Sequence, residues 1–324
     1  MMGFSTRMRR FFLARPPVAS IEIAADRVTG VTLRRARSGT ATAVVTEPLP
    51  AGALVPRANA TNVVDHAGVT EAVLRVHERL PGAVARVALV VPDSAAKVSL
   101  MTFAHVPPRA TDLDQLVRWQ ARKATPFRIE EAQVACTEGA DAGGGGREFV
   151  VSLMRRDIVQ EYEAVCSAAG GHAGIIDLAS FSQVNAILAG DKDTAGDWLL
   201  VHVAQGYSTL AVIRDGCLIL FRSRHSEGDG TLADLVHQTT MYYEDRLQGS
   251  GFQRAFLTAS AANTTEEDAA VLRQTLEARL GTAVEPVTLP RSDVDGGGDR
   301  QLPDLIAAPL GLLLREQVGF GART

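Results

Sequence analysis

"VASIEIAADRVTGVTLRRA", residues 18–36, contains the clearest structural pattern in the sequence. Apolar and polar residues alternate on both sides of a short turn, and a period of two predicts a half-buried β-hairpin. Glu22 interrupts the first strand between Ile21 and Ile23. A carboxylate in this position faces either solvent or a ligand, so Glu22 is the first candidate functional residue.

A second stretch repeats this pattern at residues 198–224, "WLLVHVAQGYSTLAVIRDGCLILFRSR". His202 is the polar residue inside its first strand, and Asp215-Gly216 predicts a tight hairpin between the two strands that follow. Helical patterns come after both stretches. A fold with two similar halves explains this recurrence.

Composition restricts the class of protein. The 324 residues are 46% hydrophobic and 22% charged, which is typical of a globular chain with one large domain or several lobes. A net charge of -4 and an aromatic content of 5% argue against a nucleic-acid partner. The widely spaced Cys136, Cys166 and Cys217 predict reduced thiols, and there is no apolar run of about 18 residues that would predict a membrane-spanning helix.

Residues 1–16 form a basic segment in which arginines alternate with Phe and Leu. Its apolar part is too short for a signal peptide, and no small-residue cleavage site follows. A segment of this kind can bind an anionic inner leaflet, so peripheral membrane contact is one interpretation. A solvated terminus is the other.

Catalytic motifs give no positive result. None of the seven histidines lies in an H-E-x-x-H pattern, and Walker A, G-x-G-x-x-G and G-x-S-x-G motifs do not occur. The glycine-rich residues 140–146 lack a following lysine and helix cap, so they predict a hairpin connection and not a phosphate loop. We therefore predict no catalytic residue and no metal site, although enzymatic activity stays an open question.

The middle of the chain resembles a known family. The resemblance lies in residues 113–139, "LDQLVRWQARKATPFRIEEAQVACTEG", and 147–188, "REFVVSLMRRDIVQEYEAVCSAAGGHAGIIDLASFSQVNAIL". A helix ends in a Pro-Phe pair, an apolar strand follows, and an aspartate precedes an F-x-x-x-N-A helix; here these are Pro126, Phe127, 150–153, Asp177, Phe181, Asn185 and Ala186. This pattern is similar to PilM, an FtsA-related family of actin-like proteins in type IV pilus assembly.

The resemblance implies an α/β actin-like (ribonuclease H-like) fold with two lobes and a small inserted subdomain. The basic segment would be 1–16. The first lobe would comprise 17–97 and 174–196, the inserted subdomain 98–173, and the second lobe 197–324.

The resemblance also implies where ATP and magnesium would bind. The family's first phosphate motif resembles Gly-Ile-Asp-Ile-Gly-Ser and its second Asp-Ile-Gly-Ala. The corresponding positions and their neighbours here are Glu22, Ala24, Ala25, His202, Ala204 and Gly206, with Ala259 and Ala261 in the adenosine motif. Methyl groups obstruct the approach of backbone amides to phosphate, and histidine is a poor magnesium ligand. We therefore expect a degenerate nucleotide site in which Glu22 is a remnant of the magnesium site; a solvent-facing Glu22 is the alternative.

The implied function is that of a cytoplasmic scaffold at the periphery of the inner membrane. In the family, the cytoplasmic tail of a PilN-like bitopic protein binds between the first lobe and the inserted subdomain. Trp119, Pro126 and Phe127 are candidates for this groove, with core packing as the alternative for each, and homo-oligomerisation is a further expectation. The alternatives for function are a GspL-like component of type II secretion and an active actin-fold ATPase or kinase.

Overall fold

The structure is a computed structural model, which describes residues 17–34, 40–82, 85–143, 146–190, 194–227, 230–261, 265–289 and 302–318. The predicted basic segment 1–16 lies outside the described residues. Within the described ranges, no helix is long and apolar enough to cross a membrane.

The first sheet is built around the predicted hairpin. Its five strands follow the order β3-β2-β1-β4-β8, with β1 antiparallel to β2 and parallel to β4. Their bounds are β1 Ala19–Ile23, β2 Arg27–Arg34, β3 Thr40–Pro48, β4 Arg86–Val91 and β8 His172–Leu178. The hairpin predicted at residues 18–36 is confirmed, and Glu22 lies opposite Thr29 in it.

The second sheet repeats this topology. Its order is β11-β10-β9-β12-β13, and β9 is antiparallel to β10 and parallel to β12. The bounds are β9 Asp197–Ala204, β10 Tyr207–Arg214, β11 Cys217–His225, β12 Arg254–Ala259 and β13 Val284–Pro286. Asp215 and Gly216 both have positive φ values, 48° and 78°, as a two-residue hairpin requires. The prediction of two similar halves is confirmed.

A third, smaller sheet lies between β4 and β8 in the sequence. It has the antiparallel order β5-β7-β6, with β5 Lys97–Phe103, β6 Ala132–Gly143 and β7 Gly146–Arg155. The glycine-rich stretch covers the end of β6 and the start of β7, which pair antiparallel as predicted for a hairpin. Helix α2 (Ala110–Ala121) packs on this sheet, and Val117 of the helix joins Phe103, Phe149 and Leu153 in a separate apolar core.

In the ranges that the structure describes, six further helices cover the two larger sheets. Helices α1 (His66–Arg79) and α3 (Arg156–Ala168) pack against one face of the first sheet, and α4 (Ala179–Gly190) and α7 (Leu302–Val318) against the other. Helices α5 (Leu232–Leu247) and α6 (Glu266–Leu280) belong to the second sheet. We call the first sheet with its helices the first lobe, and the second sheet with α5 and α6 the second lobe.

Two helices pack on the first lobe although the predicted division, which stays a prediction, assigns them elsewhere. Helix α3 falls in the predicted insertion 98–173, yet its Ile158 and Tyr162 are buried in the core of the first lobe. Helix α7 falls in the predicted second lobe 197–324, yet it crosses α4 so closely that a Cβ at Gly311 would collide with the carbonyl of Ser182. The sequence did not reveal this, because an apolar helix face does not indicate which sheet it covers.

Candidate functional site

The two central strands place Glu22 and His202 at corresponding positions. Glu22 of β1 pairs with Thr29 of β2 and Val90 of β4. His202 of β9 pairs in the same way with Thr209 of β10 and Thr258 of β12. Both residues are buried.

Glu22 does not face solvent. Its exposed fraction is only 5%, so the solvent-facing alternative is wrong. Loss of hydration raises the pKa of Glu22 to about 7, and the positive charge of Arg27 opposes this rise. The two side chains approach to 3.9 Å between Glu22 Oε2 and Arg27 Nη2, which is an ion pair without a hydrogen bond.

Arg27, the first residue of β2, connects the turn after β1 to the second lobe. Its side chain is buried, and Nη1 donates to Asp26 Oδ1 at 2.9 Å and to the backbone carbonyl of Ser260, which follows β12. Within the part of the chain that the structure describes, Nε and Nη2 have no hydrogen-bond acceptor. Unsatisfied buried donors cost about 1–3 kcal/mol each, so a role for Arg27 would explain why they are retained.

His202 has a different environment. The ring is 1% exposed, and Nδ1 lies 3.0 Å from Gln183 Nε2 and 2.9 Å from Thr258 Oγ1. An amide nitrogen only donates, so Nδ1 accepts from Gln183 Nε2 and Nε2 donates to Tyr207 Oη at 3.2 Å, while the Thr258 hydroxyl donates to Gln183 Oε1 at 3.0 Å. Burial lowers the pKa of His202 to about 3, which keeps the ring neutral. Both ring nitrogens are therefore engaged inside the protein.

Three further carboxylates lie near the junction of the lobes. Asp93 accepts hydrogen bonds from the backbone N–H of Ser180, at 3.0 Å, and from the Ser180 hydroxyl. Asp304 of α7 accepts one from the backbone N–H of Ala259 at 3.2 Å. Asp177 forms an ion pair with Arg315 of α7, with 3.8 Å between Oδ2 and Nη1. Burial raises the pKa of Asp177 and of Asp304 to about 6 each.

These residues do not fit a magnesium nucleotide. Magnesium takes oxygen ligands, whereas His202 uses both ring nitrogens internally and Glu22 faces the Arg27 guanidinium. The Ala24 amide, in the turn of the first phosphate motif, already donates to the Arg27 carbonyl at 2.9 Å. Among the described residues, no three His, Cys, Asp or Glu side chains are grouped to hold a metal ion.

The other candidate nucleotide residues lie at the two turns. Ala24 and Ala25 follow β1, and Ala204 ends β9; all three are partly buried. Gly206 is exposed and has a φ of 86°, which explains glycine in this turn. Each of the two turns is followed by a residue whose side chain already has a partner within the protein. These residues are Arg27, bonded to Ser260, and Tyr207, bonded to His202.

The candidate partner residues lie on the third sheet. Trp119 of α2 is 72% exposed, so the core role considered for it is wrong. Pro126 is exposed as well, whereas Phe127 is half-buried against the core of this sheet. Nearby charges are paired on the surface, with Arg118 Nε 2.8 Å from Asp114 Oδ2 and Arg122 Nη2 3.1 Å from Glu130 Oε1.

Two cavities lie away from the junction of the lobes. One of about 420 Å³ is lined by His105, Val106, Glu138 and Arg147 of the third sheet. The other, of about 620 Å³, lies at the outer end of the second lobe, where Asp197 and Arg214 form a bidentate ion pair with distances of 2.6–3.1 Å. Because Asp197 and Arg214 are paired with each other, neither side chain is free to bind a ligand in this second cavity.

Sequence analysis missed four residues of the junction: Arg27, Gln183, Tyr207 and Ser260. The only available signal was the charge of Arg27 in an otherwise apolar hairpin. Its partner Ser260 is 233 residues away in the sequence, a separation over which no periodic pattern extends.

Two sheets of identical order, bridged by the contact of Arg27 with Ser260, have the topology of an actin-like fold. A protein from Bacteroides thetaiotaomicron described as having an actin-like ATPase fold and unknown function matches with a TM-score of 0.50 and 10% identity, over 82% of this chain and 89% of that chain. The family profile described as "Type IV pilus assembly protein PilM" matches residues 20–248, and the chain therefore belongs to the PilM family.

Two other solved structures share the fold. A chain of the "PilM-PilN type IV pilus biogenesis complex" matches with a TM-score of 0.77 and 17% identity, over 93% of this chain and 99% of that chain. The cytoplasmic domain of EpsL, an inner membrane component of the type II secretion system of Vibrio cholerae, matches with a TM-score of 0.50 and 12% identity, over 94% and 95%. No curated protein gives a significant sequence match.

Proposed function

We propose that the protein is a scaffold of type IV pilus assembly that binds the cytoplasmic tail of a PilN-like bitopic protein. The observation that carries this proposal is the fold likeness, at a TM-score of 0.77, to a chain of the PilM-PilN complex. Membership of the PilM family supports it. The scaffold would act in the cytoplasm at the inner membrane, where the basic residues 1–16 would contact anionic lipid.

The third sheet is the surface that suits an extended tail. Strands β5 and β6 are its two edges, and most side chains of β6 between Gln133 and Glu138 are exposed. An unpaired strand edge can accept an extended peptide through main-chain hydrogen bonds, while side-chain pockets give specificity. Trp119, Pro126 and Phe127 on the same subdomain supply apolar surface, and exposed tryptophans often dominate the energy of an interface.

Calorimetry with a synthetic peptide of the PilN-like tail tests this proposal on the full chain. Substituting Trp119→Ala should weaken binding by about 2 kcal/mol, or roughly 30-fold, because a central tryptophan buries a large apolar area on binding. Folding should be unaffected, since Trp119 is exposed.

Tyr242→Ala is the matched control, since Tyr242 is an exposed aromatic residue on α5 of the second lobe. Its affinity for the tail should equal that of the wild type. Failure of the wild-type protein to bind the tail would contradict the proposed function. Normal affinity in Trp119→Ala would move the binding surface away from α2.

The proposal includes a degenerate nucleotide site, which the internal partners of His202 and Arg27 support. A ligand present at 1,000 times its Kd stabilises a protein by about 4 kcal/mol, which would raise the Tm by many degrees. We expect millimolar ATP with magnesium to change the Tm by less than about 1 °C. A clear increase in Tm would show that the site is intact.

A GspL-like role in type II secretion is the second candidate, because the EpsL cytoplasmic domain shares the fold. Its TM-score of 0.50 is well below the 0.77 of the PilM-PilN structure, so we favour the pilus role. The calorimetric experiment separates them when tails of inner-membrane partners from both machines are compared. An active ATPase or kinase receives no support from the residues at the junction of the lobes.

A further inference from the structure

A buried arginine crosses the junction of the lobes at the turns where the family's nucleotide motifs lie. Arg27 begins β2, two residues after Ala25, the last position of the first phosphate motif. Its Nη1 donates to the Ser260 carbonyl in the turn that follows β12, which is the adenosine motif. Arg27 and Ser260 are each 4% exposed, so this contact is an internal one.

Acidic groups from three elements face the Arg27 guanidinium. Glu22 of β1 lies 3.9 Å away, and Asp26 of the turn accepts a hydrogen bond at 2.9 Å. Asp304 of α7 is close enough for the arginine to lower its pKa against the effect of burial. A bound magnesium ion would also be a positive charge among carboxylates, so the guanidinium supplies the same sign of charge from within the chain.

Two other contacts cross the junction beside Arg27. Gln183 of α4, in the first lobe, bonds to both His202 and Thr258 of the second. Asp304 of α7 accepts the Ala259 amide of the second. All of these contacts join residues of the protein itself, and none of them depends on a bound ligand.

We propose that Arg27 is an internal clasp that holds the two lobes closed in place of a nucleotide. The location of this clasp rests on the proposed loss of nucleotide binding. A nucleotide that spanned the first phosphate motif and the adenosine motif would have to displace the guanidinium from Ser260 and leave Glu22 without its counter-charge. The lobes therefore stay closed at any nucleotide concentration, and the scaffold presents one fixed shape to its partner.

Amide hydrogen exchange of the full chain, without nucleotide and without the tail peptide, tests the clasp. In Arg27→Met, a side chain of similar length without charge, peptides covering 20–28 and 256–261 should exchange about tenfold faster than in the wild type. Peptides inside the second sheet, such as 208–214, should exchange at an unchanged rate. This combination means that the junction opens while the second lobe stays folded.

Arg254→Met is the matched control, because Arg254 forms a bidentate ion pair with Glu285, at 2.9 and 2.7 Å, entirely within the second sheet. It should leave the exchange of 20–28 unchanged. If Arg27→Met does not fold, Arg27→Lys is measured in the same way, since it keeps the charge but loses the planar fork. Wild-type exchange on both sides of the junction, or a uniform increase through both lobes, would overturn the clasp. Because no tail is present, neither result bears on tail binding, which calorimetry tests separately.

Discussion

The first and second lobes place a polar pair at the same two positions and satisfy it in opposite ways. In the first lobe, Glu22 is followed five residues later by Arg27; in the second, His202 is followed five residues later by Tyr207. Both pairs join the central strand to the start of the next one. Glu22 and Arg27 are charged partners 3.9 Å apart, whereas His202 and Tyr207 are neutral and lie within hydrogen-bond distance at 3.2 Å.

The neighbouring strand explains part of this difference. Opposite His202, β12 has Thr258, whose hydroxyl lies 2.9 Å from Nδ1 of the ring and donates to Gln183, the partner of that nitrogen. Opposite Glu22, β4 has Val90, which offers no hydrogen bond. The repeat of the fold therefore sets where the polar residues lie, and the residues on the adjacent strand determine whether they are satisfied. In the second lobe, both ring nitrogens of His202 have hydrogen-bond partners. In the described part of the first lobe, two donor nitrogens of Arg27 have none.

Breaking the hydrogen-bonded pair of His202 and Tyr207 should have the largest effect on stability. His202→Ala creates a cavity at a fully buried site and leaves Gln183, Thr258 and Tyr207 without their shared partner. We expect a loss of about 3–5 kcal/mol in the free energy of unfolding, measured by urea denaturation. His237→Ala on the exposed face of α5 is the control and should change the stability by less than about 0.5 kcal/mol. A loss below about 1 kcal/mol for His202→Ala would contradict the view that the buried hydrogen bonds of His202 stabilise the second lobe.

The charged pair should be revealed by the dependence of stability on pH. The pKa of Glu22 is raised from 4.5 to about 7, so between these pH values the folded protein holds a proton that the unfolded chain has released. Stability from this group is therefore highest below pH 4.5 and falls as the pH rises to about 7. The pKa of His202 is instead lowered to about 3, so its contribution rises with pH from about 3 to 6.5.

Glu22→Gln removes the first of these opposing effects. Relative to the wild type, the variant should gain about 2–3 kcal/mol in the free energy of unfolding between about pH 5 and about pH 8, measured by urea denaturation at both. Glu227→Gln, at a largely exposed carboxylate on the second lobe, should leave the wild-type dependence unchanged. An identical pH dependence in Glu22→Gln and the wild type would mean that Glu22 is ionised in the folded protein at acidic pH.

The sequence predicts the repeat but not the contacts between its copies. Alternation of apolar and polar residues was sufficient to find β1, β2 and the hairpin at Asp215-Gly216, because these features depend on near neighbours. It also identified Glu22 and His202 as the polar residues of two central strands. The contact of Arg27 with Ser260 and the position of α7 on the first sheet depend on tertiary packing. Side chains that meet only through tertiary packing have no local pattern that could reveal them.

The smallest expected effect comes from giving the first lobe the hydroxyl that the second already has. Val90→Thr introduces a donor of nearly the same shape at the position that corresponds to Thr258, on the strand beside Glu22. A hydrogen bond to the ionised carboxylate lowers its pKa, so the fall in stability toward alkaline pH should become shallower. The stability at about pH 8 should be within about 1 kcal/mol of the wild type, because the new bond offsets the cost of burying the hydroxyl.

Val91→Thr is the matched control for this exchange. Val91 is equally buried on the same strand, but its side chain packs in the apolar core on the face opposite to Glu22. The hydroxyl there should cost about 1–3 kcal/mol and leave the pH dependence unchanged. Urea denaturation of both variants at about pH 5 and about pH 8 gives the comparison. Equal losses in the two variants would show that Glu22 cannot accept a hydrogen bond from β4, and that the difference between the lobes is not caused by the residue on the neighbouring strand.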